Sequence, residues 1–329
     1  MKPDPLISII IVNYNGKKYL EECLNSIYNG SYKNFEIIVV DNNSTDGSPK
    51  FVNNEFPKVK LIEEKYNHGF TGGNNIGYEN SNGEYIVLLN NDTKVEKNYL
   101  ENFIKVFDEY PKCGIAQSKI VLYDDPEILD CAGSFWTPIT LLYHYGFLKK
   151  SKLKEFNKTF KIFSAKGASM IIKKEVIEKV GLFDKDFWHY YEETDFCHRA
   201  INAGYEIYYY PKALCFHKIG ISRGELNQEN KILFSNTKNK FFSFIKNFNF
   251  PEVIFVLIKH FVSLHFYIII LLLNRKFKEA GTIYKAIYWN IKNLPFILKK
   301  RNENKFKGNQ KLLPRKNFSY LFFLKPERY

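Results

Sequence analysis

A β-branched run opens the chain. Ile7-Ser8-Ile9-Ile10-Ile11-Val12 lies between Pro5 and Asn15-Gly16 and has the unbroken apolar character of a strand buried on both faces. The period then changes. Over residues 17–28 the apolar positions are Tyr19, Leu20, Cys23, Leu24 and Ile27, which is helical spacing. A second strand is predicted over 35–40 and stops at the turn and cap residues Asp41-Asn42-Asn43-Ser44-Thr45-Asp46-Gly47, of which Asp46 is the expected helix cap. A short third strand is predicted over 59–62, a helix over 72–80 after a glycine-rich turn, a fourth strand over 85–89 and a helix over 99–110. Strand and helix alternating at short intervals predict an α/β domain: a Rossmann-like, mostly parallel sheet with helices on both faces. In such sheets ligands bind beyond the carboxyl ends of the strands. Those ends carry Asn13-Tyr14-Asn15, Asp41-Asn42-Asn43 and Asn90-Asn91-Asp92, so three polar clusters converge on one edge.

The middle of the chain is mixed. A strand is predicted over 168–172, helices over 174–180 and 192–203 with Gly204 at the C-cap, and two short strands, 206–210 and 213–217, on either side of Pro211. The basic stretch 148–159 reads as a mobile surface loop. Beyond His217 the texture becomes Lys-, Asn- and Phe-rich with helical periodicity. Residues 253–273 are the most apolar, interrupted by Lys259, His260 and His265. A central Lys costs roughly 2.5–3.5 kcal/mol in a spanning helix, so helices lying in the membrane interface are favoured over a true span.

Charge sharpens this division. From Lys218 onward there are 22 Lys and Arg against 6 Asp and Glu, a balance of +16. The first 217 residues carry −3. A near-neutral body with a cationic tail implies an anionic partner. Lys299-Lys300-Arg301 and their neighbours would meet head groups, each worth about 1 kcal/mol near the surface. The aliphatic run 268–273 points to an anionic membrane surface and not to nucleic acid. The five cysteines are odd in number, irregularly spaced and without a CxxC pair, which disfavours a disulfide framework or a zinc site. With no signal-peptide layout at the start, the expected location is the cytoplasm, peripheral on the cytoplasmic face of the membrane.

Several groups could carry chemistry. Asp92, at a strand end among short amides, could hold a divalent metal through oxygen, with a diphosphate completing the shell; a plain turn would look the same. In the segment Asn67-His68-Gly69-Phe70-Thr71-Gly72-Gly73-Asn74-Asn75-Ile76-Gly77 the glycines would let backbone N–H groups approach a phosphate or sugar, or simply ease a helix start. Asp41 could accept a hydrogen bond from a base N–H and Tyr14 could stack on that base. Glu192, Glu193 and Asp195 crowd three carboxylates into four residues. That density costs free energy unless a cation or a function offsets it, although a helix N-terminus also favours acids. Arg199 is placed to pair with Asp195, which would make Asp195 scaffold and leave Glu192 or Glu193 functional. His217, just past a strand, is either a metal ligand or a structural imidazole.

Taken in order, SIIIVNYNG (8–16), VVDNNSTDGS (39–48), NHGFTGGNNIG (67–77), LLNNDT (88–93), KGASMII (166–172), VGLFDKDFWHYYEETDFCHRA (180–200) and HKIGIS (217–222) resemble the family 2 inverting glycosyltransferases of the GT-A fold, closest to the rhamnosyltransferase-like branch. The resemblance covers about residues 6–225. It implies a GT-A domain over 1–225, with a donor-binding half to about 112 and an acceptor and catalytic half over 113–225. The basic, amphipathic helical region 226–329 then follows as a membrane-associating appendage. It further implies that Tyr14, Asn15, Asp41 and Asn43 hold the nucleotide, and that Asn67, Gly69, Phe70, Gly73, Asn74 and Asn75 contact ribose, diphosphate and donor sugar. Asn90 and Asn91 precede Asp92 at the place of the family's DXD motif, with an Asn for its first carboxylate. Asp92 and His217 would bind Mg²⁺ or Mn²⁺. Glu193 matches the position of the catalytic base, usually an Asp, with Glu192 still a candidate and Asp195 beside them.

The expected reaction is a single in-line displacement. A nucleotide-diphospho-sugar, dTDP-rhamnose-like or a UDP-sugar, would donate to a lipid-linked or polysaccharide acceptor in surface glycan synthesis, with one carboxylate taking the acceptor proton. Two rivals are a nucleotidyltransferase, which would need a basic glycine-rich loop where Asn13-Tyr14-Asn15-Gly16 stands, and a catalytically inactive nucleotide-sugar or membrane-binding module.

Overall fold

The computed structural model describes residues 4–218 and 229–315. The end of the last motif, Ile219-Gly220-Ile221-Ser222, and the boundary expected at 225 lie outside the described residues. The elements are β1 (Ile7–Asn13), α1 (Lys17–Tyr28), β2 (Phe35–Asp41), α2 (Ser48–Glu55), β3 (Lys60–Glu63), α3 (Gly69–Glu79), β4 (Tyr85–Leu89), β5 (Thr93–Val95), α4 (Tyr99–Glu109), β6 (Cys113–Leu122), β7 (Leu129–Cys131), β8 (Ser134–Trp136), β9 (Leu142–His144), β10 (Phe160–Lys161), β11 (Ser169–Lys173), α5 (Lys174–Val180), α6 (Glu192–Asn202), β12 (Glu206–His217), α7 (Glu229–Asn247), α8 (Glu252–Leu273), α9 (Phe277–Lys292) and α10 (Leu294–Glu303).

The main sheet runs β10-β12-β6-β11-β4-β1-β2-β3, with β5 added to β12 and β7 to β6. Its N-terminal part, β4-β1-β2-β3, is parallel throughout. β11 enters antiparallel between β4 and β6, and β12 returns parallel to β6, so the whole is mixed. Alternate side chains of β1 feed two cores. Ile7, Ile9 and Ile11 join Leu20, Leu24 and Phe103 of α1 and α4 on one face. Ile10 joins Ile86, Leu88, Met170 and Phe196 on the other. Each such buried aliphatic or aromatic side chain is worth about 1.5–3 kcal/mol.

Three local expectations change. The helix expected at 72–80 begins earlier, at Gly69, because the Asn67 side-chain oxygen accepts from Gly69 N–H at 2.8 Å and the Trp188 carbonyl accepts from Thr71 N–H at 3.3 Å. The strands expected on either side of Pro211 are one strand, β12. Its register against β6 slips between Tyr210 and Leu214, which accommodates a residue without an N–H. The stretch 148–159 is not a plain loop: Lys154–Asn157 is a 3₁₀ turn, Phe156 is fully buried, and Tyr209 donates its hydroxyl to the Phe156 carbonyl.

The C-terminal helices fold back onto the α/β body. Phe242, Phe244 and Phe248 of α7 and its exit enclose Trp136, Phe163 and Phe187 of the body. At the centre of that joint Asp195 is completely buried. It receives Arg199 Nε at 2.9 Å, Lys246 Nζ at 2.8 Å and Asn247 Nδ2 at 2.7 Å. Burial alone would raise the Asp195 pKa; the Lys246 and Arg199 charges outweigh it and hold the carboxyl below its ordinary range. Lys246 also reaches Asp184 at 2.9 Å. Removing one partner of such a buried ion pair leaves an uncompensated charge. Lys246→Met is therefore expected to cost about 3–5 kcal/mol in urea denaturation, whereas Lys152→Met, which breaks an exposed pair with Glu127, should change stability by less than about 1 kcal/mol.

Candidate functional site

The strand ends meet as the alternation predicts. Asn13 at the end of β1 donates Nδ2 to Asp41 Oδ2 at the end of β2 (2.8 Å), and its Oδ1 accepts from Asn91 Nδ2 beyond β4 (2.7 Å). Gly16 is required here: a Cβ at that position would lie 2.1 Å from Asn91 Nδ2. Asp41 also accepts the Ser44 N–H at 2.7 Å, while Ser44 Oγ accepts the Asn15 N–H at 2.8 Å and Asn15 Oδ1 accepts the Thr45 N–H at 2.8 Å. Asn15 and Asn43 both adopt positive φ, +51° and +66°, as short amides tolerate. Asp46 caps two helices, taking Lys17 N–H at the start of α1 and Ser48 N–H at the start of α2. Tyr14 projects outward, 54% exposed, beside this floor.

The segment 67–77 divides. Asn67 and Gly69 sit at the mouth, where Gly69 (φ +69°) lies under Trp188: a Cβ would meet the Trp188 carbonyl at 2.5 Å. Gly73, expected among the donor contacts, instead sets α3 close on β1, with a Cβ falling 2.7 Å from Val12 Cγ1. Asn75 turns away from the crevice, donating to the Phe183 carbonyl (2.8 Å) and accepting the Phe183 N–H (3.1 Å). Asn74 is buried and donates back to the Phe70 carbonyl at 2.8 Å. The Phe70 ring packs on Phe183 and His189 at centroid distances of 5.9 and 6.0 Å. These contacts fix α3 against β1 and against the segment that carries Phe183.

Strand pairing assembles the opposite end of the site. β5 and β12 are antiparallel with Thr93 opposite His217, which places Asp92 beside the imidazole. Asp92 Oδ1 is 3.4 Å from His217 Nε2, is buried, and accepts no hydrogen bond. Asn90 Nδ2 lies 3.5 Å from the same nitrogen. On its far side His217 Nδ1 is 2.8 Å from Asp130 Oδ2. Lys166 Nζ holds both Asp130 oxygens, at 2.7 and 2.6 Å. Among the described residues no group of three or more His, Cys, Asp or Glu side chains converges on one point. The fit to a divalent cation therefore rests on the orphaned Asp92 oxygen and the His217 Nε2 facing it, with further oxygens needed from a ligand.

The acidic cluster at the start of α6 separates cleanly. Tyr191 (φ +74°) turns the chain into the helix. Asp195 is the scaffold group at the domain joint described above and is removed from the catalytic candidates. Glu192 is buried and Glu193 half-buried, and one carboxylate oxygen of each is enclosed without a hydrogen-bond partner. Burial, and then the neighbouring Glu193 charge, push the Glu192 pKa well above the carboxylate range. Burial also raises Glu193, while the Lys166 ammonium pulls it back. The preceding loop is held by Asn239 of α7, whose Nδ2 faces the carbonyls of Phe187 (3.2 Å), His189 (3.2 Å) and Tyr190 (2.6 Å). Trp188, Tyr190 and Tyr191 all have positive φ there, a strained geometry that its surroundings must over-determine.

Asp130, Lys166, Trp188 and Asn239 were not singled out in the sequence. For Asp130 the signal was present as a lone acid between Leu129 and Cys131, and Lys166 opens one of the quoted motifs. Asn239 lies in an unremarkable polar helix.

With this geometry in place, the comparisons with known proteins carry weight. Residues 8–181 match the model of glycosyl transferase family 2, and the chain belongs to that family. It is similar to the low-salt glycan biosynthesis hexosyltransferase Agl10 of Haloferax volcanii, 31% identical over 211 residues, covering 60% of this chain and 64% of that one. It is also similar to the glycosyltransferase GlyA of Streptococcus pneumoniae, 36% identical over 113 residues, 33% of this chain and 16% of that one. The chain thus spans less than two thirds of the length of these relatives. In fold it is GT-A-like. It resembles the mannosyltransferase PcManGT of Pyrobaculum calidifontis, solved with GDP-Man and Mn²⁺, with TM-score 0.56 and 18% identity over 88% of this chain and 76% of that one.

The Glu192 shift has a stability signature. A carboxyl whose folded pKa lies above its unfolded value keeps its proton to higher pH in the fold, so stability falls as pH rises through the range above the unfolded value. Replacing it by a neutral isostere removes that loss. Glu192→Gln should show a stability advantage over the unmodified chain that grows as pH rises above the unfolded Glu range, read from urea midpoints at each pH; a constant difference would contradict the raised carboxyl.

Proposed function

We propose that the chain is an inverting glycosyltransferase that moves a sugar from a nucleotide-diphospho-sugar to a lipid-linked or polysaccharide acceptor in surface glycan synthesis. The observation that carries this reading is the pairing of two unsatisfied groups within one family 2 domain. An orphaned Asp92 oxygen faces His217, and an orphaned Glu193 carboxylate lies at the start of α6. The stitched ends of β1, β2 and β4 would receive the nucleotide, with Asp41 toward the base and Tyr14 against its face. Asp92 and His217 would hold Mg²⁺ or Mn²⁺, which when bound supplies charge neutralisation to the leaving diphosphate. Solved relatives in fold carry GDP-Man or UDP together with Mn²⁺. The resemblance of the motifs to the rhamnosyltransferase-like branch makes dTDP-rhamnose or a UDP-sugar the donors to try first.

Glu193 is the better base of the adjacent pair. It is the more accessible of the two, and although burial raises both carboxyls, the Lys166 charge offsets part of that push at Glu193, a compensation Glu192 lacks. It takes the proton of the acceptor hydroxyl as that oxygen attacks the anomeric carbon. An inactive module would not need two enclosed, unsatisfied carboxylates at that point, and donor turnover separates the two readings. Glu193→Gln should lower kcat by about 10²–10⁴-fold, while Glu192→Gln keeps most of it. Full activity in Glu193→Gln would sink the assignment. Calorimetry of UDP, dTDP and GDP with Mn²⁺ should show one of them binding, lost in Asp92→Ala; no binding of any to folded protein would overturn the donor-site reading.

We further propose that the C-terminal helices seat the enzyme on the anionic cytoplasmic face of a membrane. α8 is long and apolar enough to cross a bilayer. One stripe, Val256, His260, Leu264, Ile268 and Leu271, is buried against the protein, and Phe255, Ile258, Val262, Phe266 and Leu273 are more than half exposed on the other side. Mid-helix, Ser263 Oγ donates to the Ile139 carbonyl (3.2 Å), and Thr140 Oγ1 lies 3.4 Å from His260 Nδ1. A helix tied at its middle to the catalytic body favours lying in the interface over spanning. The described thiols are all buried and free, in keeping with a reducing compartment. The protein should co-float with phosphatidylglycerol-containing vesicles at low salt, and Phe255→Glu with Phe266→Glu should abolish this; failure of the unmodified protein to float would refute the seat.

A further inference from the structure

His217 is aimed by a pair, Asp130 and Lys166, of which Asp130 lies outside the motifs quoted above. Asp130 is on β7, which pairs with β6 in the same sheet as the His217 strand β12, and its side chain has no solvent exposure. Its Oδ2 stands 2.8 Å from His217 Nδ1, and Lys166 Nζ reaches both of its oxygens. Lys166 is itself anchored, its backbone N–H donating to Gln117 Oε1 at 2.8 Å, while Gln117 Nε2 donates to the Cys131 carbonyl at 2.8 Å. Gln117 and Asp130 thus sit on two paired strands, and the chain from backbone to imidazole has no free torsion without a partner. A carboxylate in this setting only accepts, so the proton between Asp130 and His217 belongs to Nδ1. The other nitrogen, Nε2, is left toward Asp92 Oδ1 at 3.4 Å.

We propose that Asp130 and Lys166 are positioning residues for His217: they fix the imidazole as the Nδ1–H tautomer and present its Nε2 lone pair beside Asp92. A completely buried carboxylate is expensive to desolvate, and a hydrophobic replacement of such a pair is often at least as stable. The arrangement therefore earns its place through orientation. Partners of this kind, behind a histidine ligand, set ring direction and basicity. The inference rests on the proposed role of His217 toward a divalent cation, but its first readout does not.

The test uses the full chain, ¹⁵N-labelled and metal-free, at a pH where His217 is neutral, with its signals assigned by their loss in His217→Gln. Long-range ¹H–¹⁵N spectra should show the Nδ1–H form in the unmodified protein. Asp130→Asn should shift the ring to Nε2–H or a mixture, and Mn²⁺ affinity, read by electron paramagnetic resonance, should fall about 10–100-fold. Lys166→Met, which leaves the Asp130 carboxylate in place, should loosen the tautomer preference, and Lys166→Arg should restore it. An Nε2–H ring in the unmodified protein, which needs no variant to fold, overturns the proposal. So does an Asp130→Asn protein with unchanged tautomer and Mn²⁺ affinity. If the unmodified ring is Nδ1–H but no Mn²⁺ binds, the positioning stands and the metal reading of the site falls.

Discussion

The buried carboxylate of Asp195 is the constraint on which much of this molecule depends. It lies one turn into α6, two residues after Glu193, and it is neutralised from two directions: by Arg199 of its own helix and by Lys246 of α7. Arg199 spends its remaining donors on the carbonyls of Val180, Gly181 and Leu182. A single anion thus pins the loop after α5, the first turn of α6 and the C-terminal helices together. Desolvating it is tolerable only because every lone pair finds a cation or an amide. The cluster is a joint, and its position next to the proposed base means that joint and chemistry share one helix turn.

The other half of the site depends on register. Parallel pairing of β1 with β2 brings Asn13 opposite Asp41, and antiparallel pairing of β5 with β12 brings Thr93 opposite His217. A slip of one residue would turn each of these polar ends into the core. The alternation of Ile7, Ile9 and Ile11 with Ser8 and Ile10 between the two cores forbids that slip. The site inherits its precision from apolar packing several residues away.

This explains which features could be seen in advance. The short apolar runs 7–12, 35–40 and 85–89, rich in Ile and Val and bounded by turn residues, announce buried strands by their length and flanks, and their polar ends follow directly. The convergence of Asp41, Asn13 and Asn91, with Asn13 bonded to the other two, was legible for that reason. Features set by contacts between distant segments were not. Gly73 and Asn75 read as ligand contacts, yet one is small so that α3 can approach Val12, and the other binds the backbone of Phe183, 108 residues away. β12 hid behind Pro211, since a bulge that absorbs a missing N–H leaves no mark in the local pattern. Asp130 behaves likewise: its importance comes from Lys166 and His217, which only the fold brings to it.

The composition changes near residue 218, but the mechanical boundary does not. Asn239, in the basic tail, carries the loop whose strained backbone delivers Tyr191, Glu192 and Glu193. The tail is thus a splint for the catalytic turn as well as an appendage to it. In the currency of gene fusion and domain shuffling, this makes the protein an indivisible cassette. A graft of α7–α10 onto another catalytic body would succeed only where Asp184, Asp195 and the carbonyls of 187–190 travel with it.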